Sequence, residues 1–374
     1  MADITSNTGA NFVPTEPRPA PAAIRPGPMT WLKENLFNTW YNAILTLVGI
    51  WVLASIIPGL IDWFVLNALW EAAPADACRE ITGGCGAFVY EMWRFILFGT
   101  YPFEQQWRPG AAVILFIGLV VLSCFKPMWN RSLLVIWPIG LAACWILLSG
   151  GIFGLDHVPN NLWGGLPITL MLAVLGCLIA FPISIFLALG RRSNMPIIKA
   201  FCVGYIELIR GVPLITILFM ASVMFPLFMP EGVTIDKLLR AQVAIIMFAA
   251  AYLAEVVRGG LQAIPKGQYE AADAMGLSYW QSMVFIILPQ ALKITIPPQV
   301  NTFIGMFKDT SLVLIVGIFD LMFTMRGAIQ DLEWRNYYKE GFVFVAIIYF
   351  VFCYSMSKYS QWLESELHRG HKRL

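Results

Sequence analysis

The sequence predicts an all-α polytopic membrane protein. Of its 374 residues, 58 % are hydrophobic and only 13 % charged, about half the charge of an ordinary soluble domain at roughly 25 %. The apolar residues collect in runs of about twenty, the length a helix needs to cross a bilayer. Lys and Arg fall unequally on the segments between those runs, the bias that orients spans.

About eight spans follow in order: 41–60, 111–125, 133–153, 166–189, 201–225, 241–257, 298–319 and 342–359. Pro182 marks a kink inside the fourth. One set of connecting segments carries fifteen basic residues, among them Lys126, Arg131, Arg191, Arg258 and Lys293; the opposite set carries eight. Both termini are therefore expected in the cytoplasm, and the long loop 62–108 outside. The stretch 1–38, with six prolines between Pro14 and Pro28, reads as a disordered cytoplasmic tail. It is not expected to be a signal peptide, because its first apolar run begins near Trp40. Residues 365–374 read as a basic cytoplasmic tail.

Within loop 62–108, Cys78 and Cys85 are candidates for a disulfide, since such bonds persist outside the cytoplasm. The other reading is two small apolar residues that never cross-link. The remaining five cysteines sit in apolar surroundings and read as packing.

Between the sixth and seventh spans lies a polar, helix-forming segment. Pro265 suits a first helical turn, and residues 268–275 are rich in helix formers. Gly276 suits the left-handed residue after a helix. Ser278 and Gln281 form an S-x-x-Q capping box for a second helix, which Pro289 is expected to help end. The small residues Ala271, Ala272 and Ala274 allow close approach of another surface, and Glu270 places a carboxylate near a helix N-terminus. The alternative is a helix that lies on lipid headgroups.

The seventh span holds Asn301, Thr302, Lys308, Asp309, Thr310 and Ser311. A charge at bilayer depth costs about 2.5–3.5 kcal/mol on insertion scales, so Lys308 and Asp309 must face protein or water. Being adjacent, they point in different directions. They read either as the lining of a polar path or as a buried network, and Asn301, Thr302 and Ser311 also as interhelical bonding. Glu207 and Arg210, three apart, are expected to pair on one helix, ahead of a break at Gly211 and Pro213.

Four segments together resemble one family. These are Gly165–Ala173 (G-L-x-x-T-L-x-L-A), Glu207–Pro213 (E-L-x-R-G-T-P, with Val212 in the usual Thr place), Glu255–Pro289 (E-x-x-R-G-G, I-P-x-G-Q, then E-A-A-x3-G-x9-I-x-L-P) and Lys308–Leu312 (K-D-T-S-L). The chain resembles ATP-binding-cassette importer permeases for polar amino acids over about 163–364, the five-span type I core. The preceding part, 39–162, with three spans and an external loop, is similar to that of the broad-range general L-amino-acid permeases. The resemblance implies coupling helices at 265–289, with Glu270, Ala271, Ala272, Gly276, Ser278 and Pro289 at the ATPase contact. It implies Thr169, Glu207, Arg210, Asn301, Thr302, Lys308, Asp309 and Ser311 as candidates for the substrate path. It further implies a homologous second permease, two ATP-binding subunits, a periplasmic amino-acid-binding protein and a bacterial inner-membrane location amid lipid, with alternating access driven by the separate ATPase.

The chain has no G-x4-G-K-[ST] loop, so ATP is expected on another chain, with no cofactor or metal here and no enzymatic activity. Nucleic acid is not an expected partner. A membrane redox subunit would want His ligands inside spans, yet His157, His368 and His371 fall in predicted loops or tail. A self-contained secondary transporter would need inverted repeats and would leave the polar bracket unexplained.

Overall fold

The computed structural model describes residues 27–368; residues 1–26 of the expected tail and 369–374 of the basic end lie outside them. Among the described residues the regular structure is helical, without a β-strand, and falls into two compact units, 1–67 and 68–374. The division by packing thus falls well before residue 163. The first unit holds α1 (Pro28–Asn35) and α2 (Trp40–Ile61). Residues 28–35 were expected as extended tail. Pro28 instead opens a helix, its missing N–H unneeded in the first turn. Helix α2 is apolar all round and buries no residue within its unit. It runs on through a π-turn to Leu66.

The second unit opens with α3 (Ala75–Arg79), α4 (Gly86–Phe98), α5 (Trp107–Cys124) and α6 (Leu133–Ser149). Loop 62–108 is therefore largely helical. Cys78 and Cys85 are joined as a disulfide, with Cα atoms 5.7 Å apart. Helix α5 starts four residues earlier than expected because Pro109 falls in its first turn, where no N–H is required. Helix α6 stops at Ser149, short of the expected 153, because Gly150 takes a positive φ of 65°. A Cβ there would run into the Asp156 carbonyl and the Arg108 guanidinium. Arg108 is itself buried, donating to the carbonyls of Leu147 (2.8 Å) and Asp156 (2.9 Å) and to Gln105 Oε1 (2.7 Å).

The core follows: α7 (Leu166–Arg191), α8 (Pro196–Gly211), α9 (Leu214–Phe219), the short α10 (Phe225–Leu227), α11 (Lys237–Ala263), α12 (Lys266–Ala274), α13 (Tyr279–Ser282), α14 (Leu288–Ile294), α15 (Ile296–Asp309), α16 (Leu321–Ala328) and α17 (Tyr338–His368). Five helices are long and apolar enough to cross a membrane. Two bent pairs bring the count to seven, and α6, with 17 residues, is the remaining apolar helix. The fifth predicted span is one bent pair, Pro196–Gly211 with Leu214–Leu227, turned by 102°. Pro213 cannot donate to a continuing helix and forces Val212 into extended geometry. The seventh is the second pair, bent by 62° at Thr295, ahead of Pro297 and Pro298.

Small residues set the closest packing. Helix α11 lays Ala244, Ala249, Ala250, Ala251 and Ala254 in the buried core, close to α7, where a Cβ on Gly176 would sit 2.9 Å from Ile245 Cγ2. Such small surfaces let helices approach where lipid provides no hydrophobic drive. Gly260 does the same for α14: a Cβ there would lie 2.7 Å from the Ala291 carbonyl.

Candidate coupling bracket and polar path

The segment after α11 folds as a two-armed bracket. Pro265 is the residue just before α12 rather than in its first turn. At the other end Gly276 adopts φ 72°. The Gly276 N–H donates to the Asp273 carbonyl (2.9 Å), and the Leu277 N–H reaches back to Ala272 (3.2 Å). That pair of bonds is the Schellman closure, which wants glycine at its left-handed position. Ser278 and Gln281 form the capping box of α13, with the Ser278 N–H 2.9 Å from Gln281 Oε1.

Pro289 does not end the second arm. A π-turn at Met283–Ile287 precedes it, in which the Leu288 N–H bonds five residues back to Met283, and the helix continues to Ile294. The wider turn accommodates a residue that has no N–H to give. Gln290 Nε2 donates to Gln268 Oε1 (3.0 Å) and ties the two arms together.

Glu270, Ala271, Gly276, Ser278 and Pro289 are exposed. Ala272 is fully buried, so it does not face outward as expected; its small side chain lets α12 lie close to the ends of the spans.

At the same end of the core, five charged side chains meet. Glu255 on α11 takes Arg258 (2.8 Å), Arg191 at the end of α7 (3.1 Å) and Arg210 on α8 (3.6 Å). Arg191 also reaches Glu207 (2.8 Å), and the Arg210 guanidinium lies 5.4 Å from the centre of the Tyr252 ring. The expected Glu207–Arg210 pair is not formed among the described residues, because each side chain has a stronger partner on a neighbouring helix. The cluster fastens α7, α8 and α11 to one another. From sequence, Arg191, Glu255 and Arg258 were not expected to pair with one another. The signal was there in the i,i+3 charge pair Glu255 and Arg258, set in an otherwise apolar span.

The seventh predicted span resolves its polar residues by face. Asn301 and Lys308, seven apart on one side of α15, are exposed. Lys308 forms no ion pair among the described residues; Asp309 is half-buried on another face. The hydroxyls of Thr302 and Ser311 donate to their own helix, at Pro298 (2.9 Å) and Lys308 (2.8 Å), not to neighbours. Thr169 sits in a closed hydrogen-bonded turn. It is fully buried, accepts from the Leu321 N–H (3.0 Å) and donates to the Gly165 carbonyl (3.2 Å). It thereby helps close the end opposite the bracket, where Gly165 N–H also meets the Phe319 carbonyl at 2.8 Å.

A polytopic helical protein with a polar bracket beyond its spans and an exposed lysine at span depth is built as a membrane transport subunit. The chain belongs to the family of binding-protein-dependent transport system inner membrane components, which it matches over residues 180–369. It is 48 % identical over 352 residues to the inner membrane amino-acid ABC transporter permease protein YhdY of Escherichia coli, covering 91 % of this chain and 94 % of that one. It is 37 % identical to the glutamate/glutamine/aspartate/asparagine transport system permease protein BztC of Rhodobacter capsulatus, covering 97 % and 99 %. Among solved structures, an amino acid ABC transporter crystallised with histidines is 34 % identical over 53 % of this chain and 90 % of that one, with a TM-score of 0.48.

Proposed function

We propose that this chain is the membrane-spanning permease subunit of an importer for polar L-amino acids, worked by an ATPase on a separate chain that docks on α12 and α13. It is a transport subunit and not an enzyme. The observation that carries the docking assignment is the exposed bracket face of Glu270, Ala271, Gly276 and Ser278, shaped by two complete caps. Closure of the ATPase would push this face and move α11 and α14, the helices attached to either side of the bracket. The spans would then open alternately to each side. The exposed stripe of Asn301 and Lys308 is the best candidate for the path, since a lysine at that depth requires water or an anionic group opposite it. Its partners in this reading are a second, homologous permease, two ATP-binding subunits and a soluble amino-acid-binding protein. ATP stays on the partner, and this chain needs no cofactor or metal. The bias of basic residues supports a cytoplasmic bracket and cytoplasmic termini, with the protein in the inner membrane.

Gly276→Val tests the docking role. The site has open space, with nothing within 4 Å of an added Cβ, but its backbone is left-handed, which costs an ordinary L-residue about 1–2 kcal/mol. The bracket should distort while the spans still insert. Uptake into proteoliposomes should then fall at least tenfold relative to ATP hydrolysed. Uptake and binding-protein-stimulated hydrolysis that both stayed at wild-type level would overturn the assignment.

A further inference from the structure

Between the bracket and the ends of the spans lies a cavity of about 320 Å³, within the range of about 300–1,000 Å³ that small-molecule sites occupy. Its floor is apolar, from Leu189 of α7, Leu261 of α11 and Met283 after α13; Tyr269 and Tyr279 line it too. One cation and one anion face it, Arg192 and Asp273. They do not join each other: no ion pair links them, and the Asp273 carboxylate has no partner among the described residues. Arg192 is held in place from behind. Its Nη1 donates to the Tyr269 hydroxyl (3.3 Å), which itself donates to the Leu261 carbonyl (3.2 Å). Ser282, almost fully buried, also lines the cavity, and its hydroxyl has no hydrogen-bond partner among the described residues.

We propose that this cavity binds a zwitterion, with its anionic group on Arg192 and its ammonium on Asp273. Both charges stand at the exposed rim; a single cation or anion would engage one of them, whereas a molecule bearing both charges engages both and rests its carbon frame on the apolar floor. Two sources carry that chemistry: a free α-amino acid, and the ethanolamine phosphate headgroup of a phospholipid. The exposed Tyr279, Trp280 and Phe285 beside the cavity suit a headgroup boundary. Once bound, the zwitterion bridges the end of α7 to α12 and restrains the bracket against the spans. That consequence rests on the coupling role proposed above; the binding itself does not.

The test therefore reads binding rather than transport. The intact detergent-purified complex is dialysed against radiolabelled glutamine at millimolar concentration, and the phosphatidylethanolamine it retains is counted after lipid extraction. Arg192→Gln and Asp273→Asn should each weaken binding about tenfold or more, since each removes a charge-assisted hydrogen bond. In one of the two arms this appears as the loss of one zwitterion per copy of this chain. Loss in the glutamine arm identifies a free amino acid, and loss in the lipid arm a headgroup. The double exchange Arg192→Asp with Asp273→Arg should restore binding in the reverse orientation, which separates a binding defect from misfolding. The proposal is overturned if neither arm changes in complexes that still assemble, or if propionate or ethylamine alone competes as well as glutamine. Such a failure would leave the Gly276→Val result standing, so the two readings fail separately.

Discussion

Two carboxylates, one half-buried and one fully buried, show how much a single side chain can hold. Glu255 reaches three arginines, carried by three helices: Arg191 on α7, Arg210 on α8 and Arg258 on its own helix, α11. Removing its charge leaves Arg191, Arg210 and Arg258 to repel one another in a half-buried setting. Glu255→Gln should therefore lower stability by about 1–3 kcal/mol, between the scale of an exposed pair and that of a buried pair broken from one side. A melting temperature in detergent indistinguishable from wild type would contradict this. At the other end Asp320 caps α16, accepting from the Met322 and Phe323 N–H groups, each at 3.0 Å. Burial pushes its carboxyl from the ordinary 3.8 up to about 7, against the opposing pull of those two donors. The folded protein thus holds this proton more tightly than the unfolded chain. Its stabilising contribution is complete below about pH 4 and is lost as pH rises to about 7. Asp320→Asn keeps a cap acceptor and has nothing to titrate, so its melting temperature should change less across that range than the wild type's.

The helices carry a second layer of constraint, in where they may touch. Gly259 and Gly260 are neighbours in sequence with opposite requirements. Nothing lies within 4 Å of a Cβ on Gly259, while one on Gly260 would strike Thr295 and the Ala291 carbonyl. Gly259→Ala should be neutral or stabilising by about 0.5–1 kcal/mol, as alanine is in a helix interior. Gly260→Val should cost about 1–3 kcal/mol by forcing α11 and α14 apart; thermal melting of the pair of variants checks both. The caps of the bracket were readable in advance, because Gly276 and the Ser278–Gln281 box act over four or five residues of chain. The fate of Pro289 was not. Its local preference says stop, but the π-turn before it supplies a way on. The helix continues because its buried face, Met283, Ile287 and Ala291, packs with Val257, Leu261 and Ile264. Burial won over local preference there, while at Glu207 a charge on the neighbouring helix, Arg191, won over Arg210 on its own.

Across the molecule, the part preceding the core is joined to it at both ends. Cys85 N–H meets Glu340 Oε1 at 3.1 Å, and the Thr324 hydroxyl donates to the Ile96 carbonyl at 2.6 Å. At the far end Lys126 pairs with Glu366 at 2.8 Å. Helix α17 is thus held near each terminus by residues from 68–132. The Cys78–Cys85 bond closes the small loop on which one of these attachments rests. Replacing both cysteines by serine should destabilise the protein by about 2–3 kcal/mol, the scale for so short a loop. A lower melting temperature, with no change in the spans' helicity before melting, would be the expected signature in circular dichroism, and reductant should reproduce it in the wild type. Hydropathy, helix formers and capping residues were enough to establish a helical membrane protein, the approximate spans and the bracket, since each depends on composition within one stretch of chain. Which charges pair, which alanine turns inward, and that Thr169 holds the turn at Leu321 depend on residues far apart in sequence meeting, as Arg210 meets Glu255 and Thr169 meets Leu321. No local pattern encodes that meeting, and only the packed helices bring it about.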